Sequence, residues 1–405
     1  MLRFTTAGES HGQALVSVLE GMVAGMPLAP EDIDAELARR QQGYGRGRRM
    51  QIETDAVELL SGVRAGATIG SPIAMLIRNR DWRNWSDIMG PGAAAGEQYV
   101  PSPGGVAPAR KRAVTRARPG HADLAGMLKY DRSDARDVLE RASARETTAR
   151  VAAGAVCKRL LAELDVRIGS HVVHLGGIDA RRPEHLPHDL NTAADASPLR
   201  TLDPEAGARM IEQIDQAKRD GNTLGGVCEV LADGVPVGLG SHVSWDRKLD
   251  GRIAQAMMSI PAVKGVEIGL GFQGATRRGS EVHDEIDPAV GRVRAGNVAR
   301  RTNRAGGLEG GITNGEPVVV KVAMKPISTL MRPLATVDAS TGESASAVAE
   351  RSDVTAVPAM GVIAEAMLAF VLADAFMEKF GGDSLVEMKR NYDAYISHVA
   401  TRVRR

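Results

Sequence analysis

Residues 357–376 constrain this chain more than any other stretch, because an apolar run of that length must be covered when the chain folds. By length it could cross a bilayer, but it contains Glu365 and Asp374, and two carboxylates held in lipid are costly. We therefore expect a core or interface helix beginning near Pro358, and no membrane span. With 405 residues and 43% hydrophobic content, the remainder is ample to build a core around it.

Away from that tract the sequence repeats strand, glycine turn, strand. Strand patterns fall at 2–6, 14–19, 52–60, 68–77, 165–175, 227–239 (broken by a glycine turn), 265–272 and 318–324. Helical patterns lie between them. One spans 30–42, opened by Pro30 and acidic residues and closed by Gly43. Another spans 143–164, where Ser143 and Glu146 have capping-box spacing. Others run from Asp203 and Pro204 to near Gly221, over 246–258, and through a basic helix that ends the sequence. This alternation predicts an α+β fold with mostly antiparallel sheets. No linker divides the chain, so residues 1–405 are expected to form a single domain with irregular loops near 79–117 and 276–313.

Composition excludes several functions. Lys+Arg number 51 against 50 Asp+Glu, and aromatics are 3%, so neither a basic surplus nor a stacking platform for nucleic acid is present. Cys157 and Cys228 are far apart, and His185 and His188 lack acidic company, so no disulfide framework or metal site is expected. The opening residues are polar and acidic where a secretory signal is apolar, which predicts a cytoplasmic protein. Gly43, Gly45 and Gly47 follow a helix, which argues against a Rossmann dinucleotide site.

Positive charge is instead concentrated locally. Arg39, Arg40, Arg46, Arg48 and Arg49 are interleaved with glycines, and guanidinium forks match carboxylate and phosphate oxygens while glycine lets the backbone approach a ligand. A small polyanion fits such a loop. A Gly-Arg RNA-binding segment is the alternative, and the near-neutral overall charge favours the pocket. A glycine-bracketed loop displays Ser10 and His11, and a second cluster of Arg116, Arg118 and His121 precedes a helical pattern at 124–129. Arg141 and Arg145 flank a helix N-terminus that would hold a phosphate well; exposed arginines on an ordinary capped helix are the other reading. Trp82 and Trp85 are expected to pack against the body of the protein.

Taken together, Ala7-Gly8-Glu9-Ser10-His11-Gly12, Gly43-Tyr44-Gly45-Arg46-Gly47, Leu60-Ser61-Gly62-Val63-Arg64, Arg118-Pro119-Gly120-His121-Ala122-Asp123, the segment 141–150, Lys264-Gly265-Val266-Glu267-Ile268-Gly269, Gly310-Gly311-Ile312-Thr313-Asn314-Gly315 and the segment 325–329 closely resemble chorismate synthases. The likeness runs almost the whole length. It implies four layers, with antiparallel sheets sandwiched between helices, and a homotetramer. It also implies a phosphate lyase: 1,4-trans elimination from 5-enolpyruvylshikimate 3-phosphate to give chorismate, ending the shikimate pathway toward aromatic amino acids. Members need reduced FMN although there is no net redox change. No reductase domain is apparent here, so reducing power from NADPH is expected to arrive through a separate protein.

The resemblance also carries residue roles. Ser10, Arg40, Arg46, Arg48, Arg118 and Arg351 match substrate-binding positions. Arg141, Ala142, Ser143, Arg145, Pro261, Ala262, Gly310, Lys325, Pro326, Ile327, Ser328, Thr329 and Arg351 match positions that contact FMN. His11, His121 and Asp353 match the catalytic positions: His11 would supply a proton to the leaving phosphate, His121 would protonate reduced flavin near N1, and Asp353 would help take the proton from flavin N5. Where many members read Arg-His-Asp, this chain reads Arg351-Ser352-Asp353, which keeps the carboxylate and puts any role of its neighbour in doubt. The loop at 89–114 is a further departure, expected to be a lid or contact surface.

Overall fold

The computed structural model describes residues 1–47, 54–92, 112–348 and 352–403. Strands β1 (Arg3–Ala7) and β2 (Ala14–Glu20) are followed by α1 (Pro30–Gln41), β3 (Val57–Leu59) and β4 (Ile73–Arg78). Then come α2 (Asp123–Tyr130), α3 (Thr147–Ala162), β5 (Arg167–Leu175) and β6 (Ile178–Asp179). The order continues with α4 (Pro204–Arg219), β7 (Gly226–Asp233), α5 (Leu249–Met258), β8 (Val263–Ile268) and β9 (Val318–Met324). The long helix α6 (Val357–Phe380) and α7 (Leu385–Val399) complete it.

The strands pair into two antiparallel sheets, ordered β1-β2-β4-β3 and β8-β9-β7-β5-β6. Alternation gives each a buried face. In the first, Leu15, Ser17 and Leu19 stand opposite Ile77, Met75 and Ile73, all without solvent exposure. In the second, Ile168, Ser170 and Val172 align through Ala232, Val230 and Cys228 with Val318, Val320 and Val322.

Helix α6 lies between these faces. Its Phe370 packs edge-on against Phe4 of β1 at 4.7 Å, while Gly361 rests against Ser170 and Cys228 of the other sheet. Where α6 crosses α3, Ala366 approaches Gly154 so closely that a Cβ on that glycine would overlap it. The α+β class and the antiparallel pairing are as the sequence predicts. The layer order is sheet, helix, helix, sheet, with helices between sheets rather than sheets between helices. The cause is the 357–376 tract: a helix apolar around its circumference is covered only when it is surrounded.

The two carboxylates in the tract are partnered. Glu365 accepts from Arg39 (2.8 and 3.0 Å), Lys158 (2.9 Å), Arg200 (3.0 Å) and Ser170 Oγ (2.6 Å). Asp374 takes the backbone N–H of Leu2 (2.6 Å) and pairs with Arg252.

Some local expectations change. The 227–239 pattern yields one strand, after which Gly240 makes a single bridge to Ile312. The pattern at 52–60 gives only Val57–Leu59 among the described residues. Ser143 Oγ accepts from Arg145 N and caps a 3-10 turn, and Glu146 binds Thr6 and Arg150, so the capping box is not made. Residues 276–313 are not irregular throughout: they hold a turn of helix at Gly279–Val282, the pair Ile286–Pro288 and Val298–Arg300, and the hairpin Leu308–Glu309 with Ile312–Thr313. Within 79–117, Arg80–Asn84 and Ser86–Met89 are helical, and 93–111 lie outside the described residues.

Candidate active site

Adjacent residues of a helix point about 100° apart, and the end of α1 uses that divergence. Arg39 turns inward to Glu365, Glu36 (2.8 Å) and Asp195 (2.6 Å), so it belongs to the core network and not to an anion site. Arg40 turns the other way. It is buried, with Nε donating to Thr147 Oγ1 (3.0 Å) and Nη2 to the Ala144 carbonyl (2.9 Å), whereas Nη1 has no hydrogen-bond partner among the described residues. Asp55 Oδ2 stands 3.8 Å from it. Burial, reinforced by Arg46 and Arg145, pushes the Arg40 guanidinium down to about 9 against the opposing pull of Asp55 and Asp353. Arginine stays charged at neutral pH, so the depression reports first the burial of that charge and then its crowding by Arg46 and Arg145, which Asp55 and Asp353 oppose.

The loop after α1 carries Arg46 to Asp353. Gly45, at φ +88, lies against Ile214 and Thr355, a conformation and clearance that favour glycine. Gly47 N–H donates to Asp353 Oδ1 (2.6 Å), and Arg46 Nε lies 3.1 Å from Oδ2. Arg48 and Arg351 lie outside the described residues.

The turn between β1 and β2 displays Ser10 and His11. Gly8, at φ +101, has no room for a Cβ against the Ala14 carbonyl. Asn79 Nδ2 donates to the carbonyls of Glu9 (3.2 Å) and Gly12 (2.7 Å), while its Oδ1 accepts from Arg145 Nε (3.0 Å). Arg145 Nη1 also grips Asp55 (2.6 and 2.8 Å), and Arg141 donates to Thr6 O (2.9 Å) and Gly8 O (3.1 Å). These two arginines brace the loop. Ser143 Oγ reaches Ser10 Oγ (3.2 Å), beside Ala142, whose N–H bonds the Val138 carbonyl. His11 Nδ1 lies 2.8 Å from Glu140 Oε1, and its ring stacks on Trp85 with centroids 4.0 Å apart.

His121 sits across from a comparable partner. Its Nδ1 is 2.5 Å from Asp123 Oδ1, and Arg118 binds the same carboxylate through Nε (2.8 Å) and Nη2 (3.1 Å). Burial works to raise the Asp123 carboxyl, but the hydrogen bonds from His121 and Arg118 outweigh it and hold the group well below the usual range. Arg118 Nη1 continues to Thr329 Oγ1 (3.1 Å), and the Thr329 carbonyl accepts from Ser352 Oγ (2.8 Å), next to Asp353.

Lys325 Nζ donates to the Gly120 carbonyl (2.7 Å), and its N–H to the carbonyl of Ala262, which follows Pro261 and adopts φ +68. Ser328 lies beside Gly120, and the Ile327 carbonyl, after Pro326, accepts from Thr223 Oγ1 (2.7 Å). Burial lowers the Lys325 ammonium, and Lys264 adds to the shift. The fold thus links His121, Arg118, the 325–329 segment, Asp353 and Arg46, and separately links Ser10, His11, Ser143, Arg145 and, through Asp55, Arg40. Gly310 stands apart in its hairpin at φ +61, with His242 the nearest side chain, and no described hydrogen bond joins it to either set.

Five contributors were not among the expected site residues: Asp55, Asn79, Trp85, Asp123 and Glu140. Asp123 had a signal, two residues after His121. Glu140 had none, being 129 positions from His11.

The family model for chorismate synthase matches residues 2–377. The chain belongs to the chorismate synthase family. A chorismate synthase from Symbiobacterium thermophilum is 56% identical over 99% of this chain and 100% of its own length. One from Salinispora tropica is likewise 56% identical over 99% of this chain and 100% of its own length. A solved crystal structure of chorismate synthase superposes with a TM-score of 0.77 at 45% identity, covering 99% of this chain and 98% of that one. As a member of the family, this chain is a lyase that makes chorismate from 5-enolpyruvylshikimate 3-phosphate in the shikimate pathway.

Proposed function

We propose that the substrate's phosphate and carboxylates lie on Arg40, Arg46 and Arg118, with Ser10, Arg48 and Arg351 completing the set, and that His11, His121 and Asp353 handle protons. The observation that carries this reading is Arg40: a buried guanidinium with an N–H unmatched among the described residues and two cations as neighbours. An anion bound there would relieve both conditions.

Reduced FMN fits the residues about Lys325. Lys325 is depressed by burial and by Lys264, which a phosphate would offset; Ala262 accepts its backbone N–H and Ser328 lies with it against Gly120, and Thr329, Pro261, Pro326 and Ile327 would complete the set. Ala142, Ser143, Arg141 and Arg145 would act from the His11 side, and Gly310 is the member that remains apart. When bound, reduced FMN supplies the electron density that lets the C–H and C–O bonds break without net redox change. The chain's own part is proton control. His11 Nδ1 is committed to Glu140, so Nε2 is the atom that gives a proton to the leaving phosphate. His121 Nδ1 is committed to Asp123, which likewise leaves Nε2 to act, and Asp353 is the base, oriented by Gly47 and Arg46.

The remaining assignments are a single cytoplasmic unit without nucleic-acid or membrane partners, and a homotetramer fed with reduced FMN by a separate NADPH-dependent reductase. Among the described residues, the one helix apolar and long enough for a bilayer, Val357–Phe380, is core. Trp245 at 86% exposure and Phe272 at 78% are apolar surface that subunit contacts would cover. The functional reading is tested by calorimetric titration of 5-enolpyruvylshikimate 3-phosphate. Binding to wild type that is lost in Arg40→Gln supports the site; equal binding by both removes Arg40 from it. With NADPH and oxidised FMN under anaerobic conditions, and no other protein, we expect no turnover, and turnover there would contradict the separate reductase.

A further inference from the structure

A carboxylate placed out of water needs partners, and in protein cores these are usually arginine, lysine or several backbone N–H groups. Glu140 is 3% exposed, and among the described residues every hydrogen bond its carboxylate makes goes to one residue. Oε2 accepts the backbone N–H of His11 at 2.8 Å, and Oε1 takes His11 Nδ1 at 2.8 Å. The Glu140 carbonyl also accepts the N–H of Ser10 at 3.0 Å. One acidic residue therefore fixes both the backbone and the ring of His11. The opposite constraint comes from Trp85, stacked on the imidazole at an interplanar angle of 28° and held by its Nε1–H to Asp81 Oδ2 (2.9 Å).

We infer that Glu140 is a positioning residue for His11: it keeps the Nδ1 proton in place, so that Nε2 alone exchanges a proton with the reacting group, while Trp85 fixes the plane of the ring. This rests on the reading of His11 as the proton donor. A plain structural role explains less, because a neutral polar side chain could close the turn without burying a charge. The same device serves His121, whose Nδ1 faces buried Asp123, but Asp123 also binds Arg118, whereas the described bonds of the Glu140 side chain are to His11 alone.

The test is a mutant cycle in anaerobic turnover with chemically reduced FMN, using Glu140→Gln, His11→Ala and the double variant, with melting curves for each. The amide can reverse the hydrogen bond to Nδ1 and so favour the other tautomer. Glu140→Gln is expected to lower kcat about 10- to 100-fold with KM within about threefold, and the double variant to be no slower than His11→Ala. Multiplying losses in the double variant, or a Glu140→Gln enzyme with wild-type kcat, overturns the positioning role while leaving His11 in place. Wild-type turnover by His11→Ala removes the donor assignment and this inference with it. Nitrogen NMR of the wild-type ring is independent of any variant: the neutral form is expected to carry its proton on Nδ1, and a proton on Nε2 contradicts the inference.

Discussion

Arg39 and Arg40 are neighbours in sequence with opposite uses, one neutralised by Glu36, Asp195 and Glu365 and the other left with unbalanced charge. That difference predicts opposite consequences. Replacing Arg40 with Gln would remove the proposed charge-assisted contact to the substrate, which amounts to about 2–3 kcal/mol, or roughly 30- to 150-fold in KM. The melting temperature of the free enzyme should hold or rise, because a buried and under-neutralised cation is removed. A falling melting temperature with unchanged KM would make Arg40 structural. The sequence displayed this cluster as a group of five arginines, and residue type alone could not separate core from site. Partners decide that, and they come from residues as distant in the chain as Glu365.

At the scale of elements, α6 and what surrounds it hold the two sheets at a fixed separation. Gly154 on α3 illustrates how closely they meet. Gly to Ala inside a helix ordinarily gains about 0.5–1 kcal/mol, but overpacking costs about 1–3 kcal/mol, and here the overlap with Ala366 should win. Urea unfolding should therefore find Gly154→Ala less stable than wild type; a gain would mean that the helices separate freely.

Glu365 makes a second prediction. Burial favours its neutral form, yet Lys158, Arg39 and Arg200 more than reverse this and hold it well below the usual carboxylate range. A group depressed in the folded state contributes stability that is present above its unfolded pKa, about 4.3, and is lost as pH falls through the folded value. Wild type should lose stability below about pH 4 more steeply than Glu365→Gln, which at pH 7 should be weaker by about 3–5 kcal/mol. Parallel acid limbs in urea titrations would contradict the assignment. Elements were the most legible level, since β9 occupies the expected 318–324 and α1 ends within one residue of expectation. Layer order was not legible, because periodicity identifies an apolar face and not what covers it.

For the molecule as a whole, the proposed tetramer would cover the exposed Trp245 and Phe272. Paired Trp245→Asp and Phe272→Asp substitutions should reduce the mass seen by light scattering, and an unchanged mass would place the contacts elsewhere. The motifs made the reaction class legible, since eight of them follow the family's order. The links between them, through Asp55, Asn79 and Glu140, were hidden because each joins segments that only the fold brings together. The most direct measurement is anaerobic turnover of 5-enolpyruvylshikimate 3-phosphate with chemically reduced FMN, following chorismate and phosphate together in wild type and Asp353→Ala. The account predicts equal amounts of the two products, no net consumption of reduced flavin, and a much slower variant; phosphate without chorismate, or an undiminished Asp353→Ala enzyme, would contradict it.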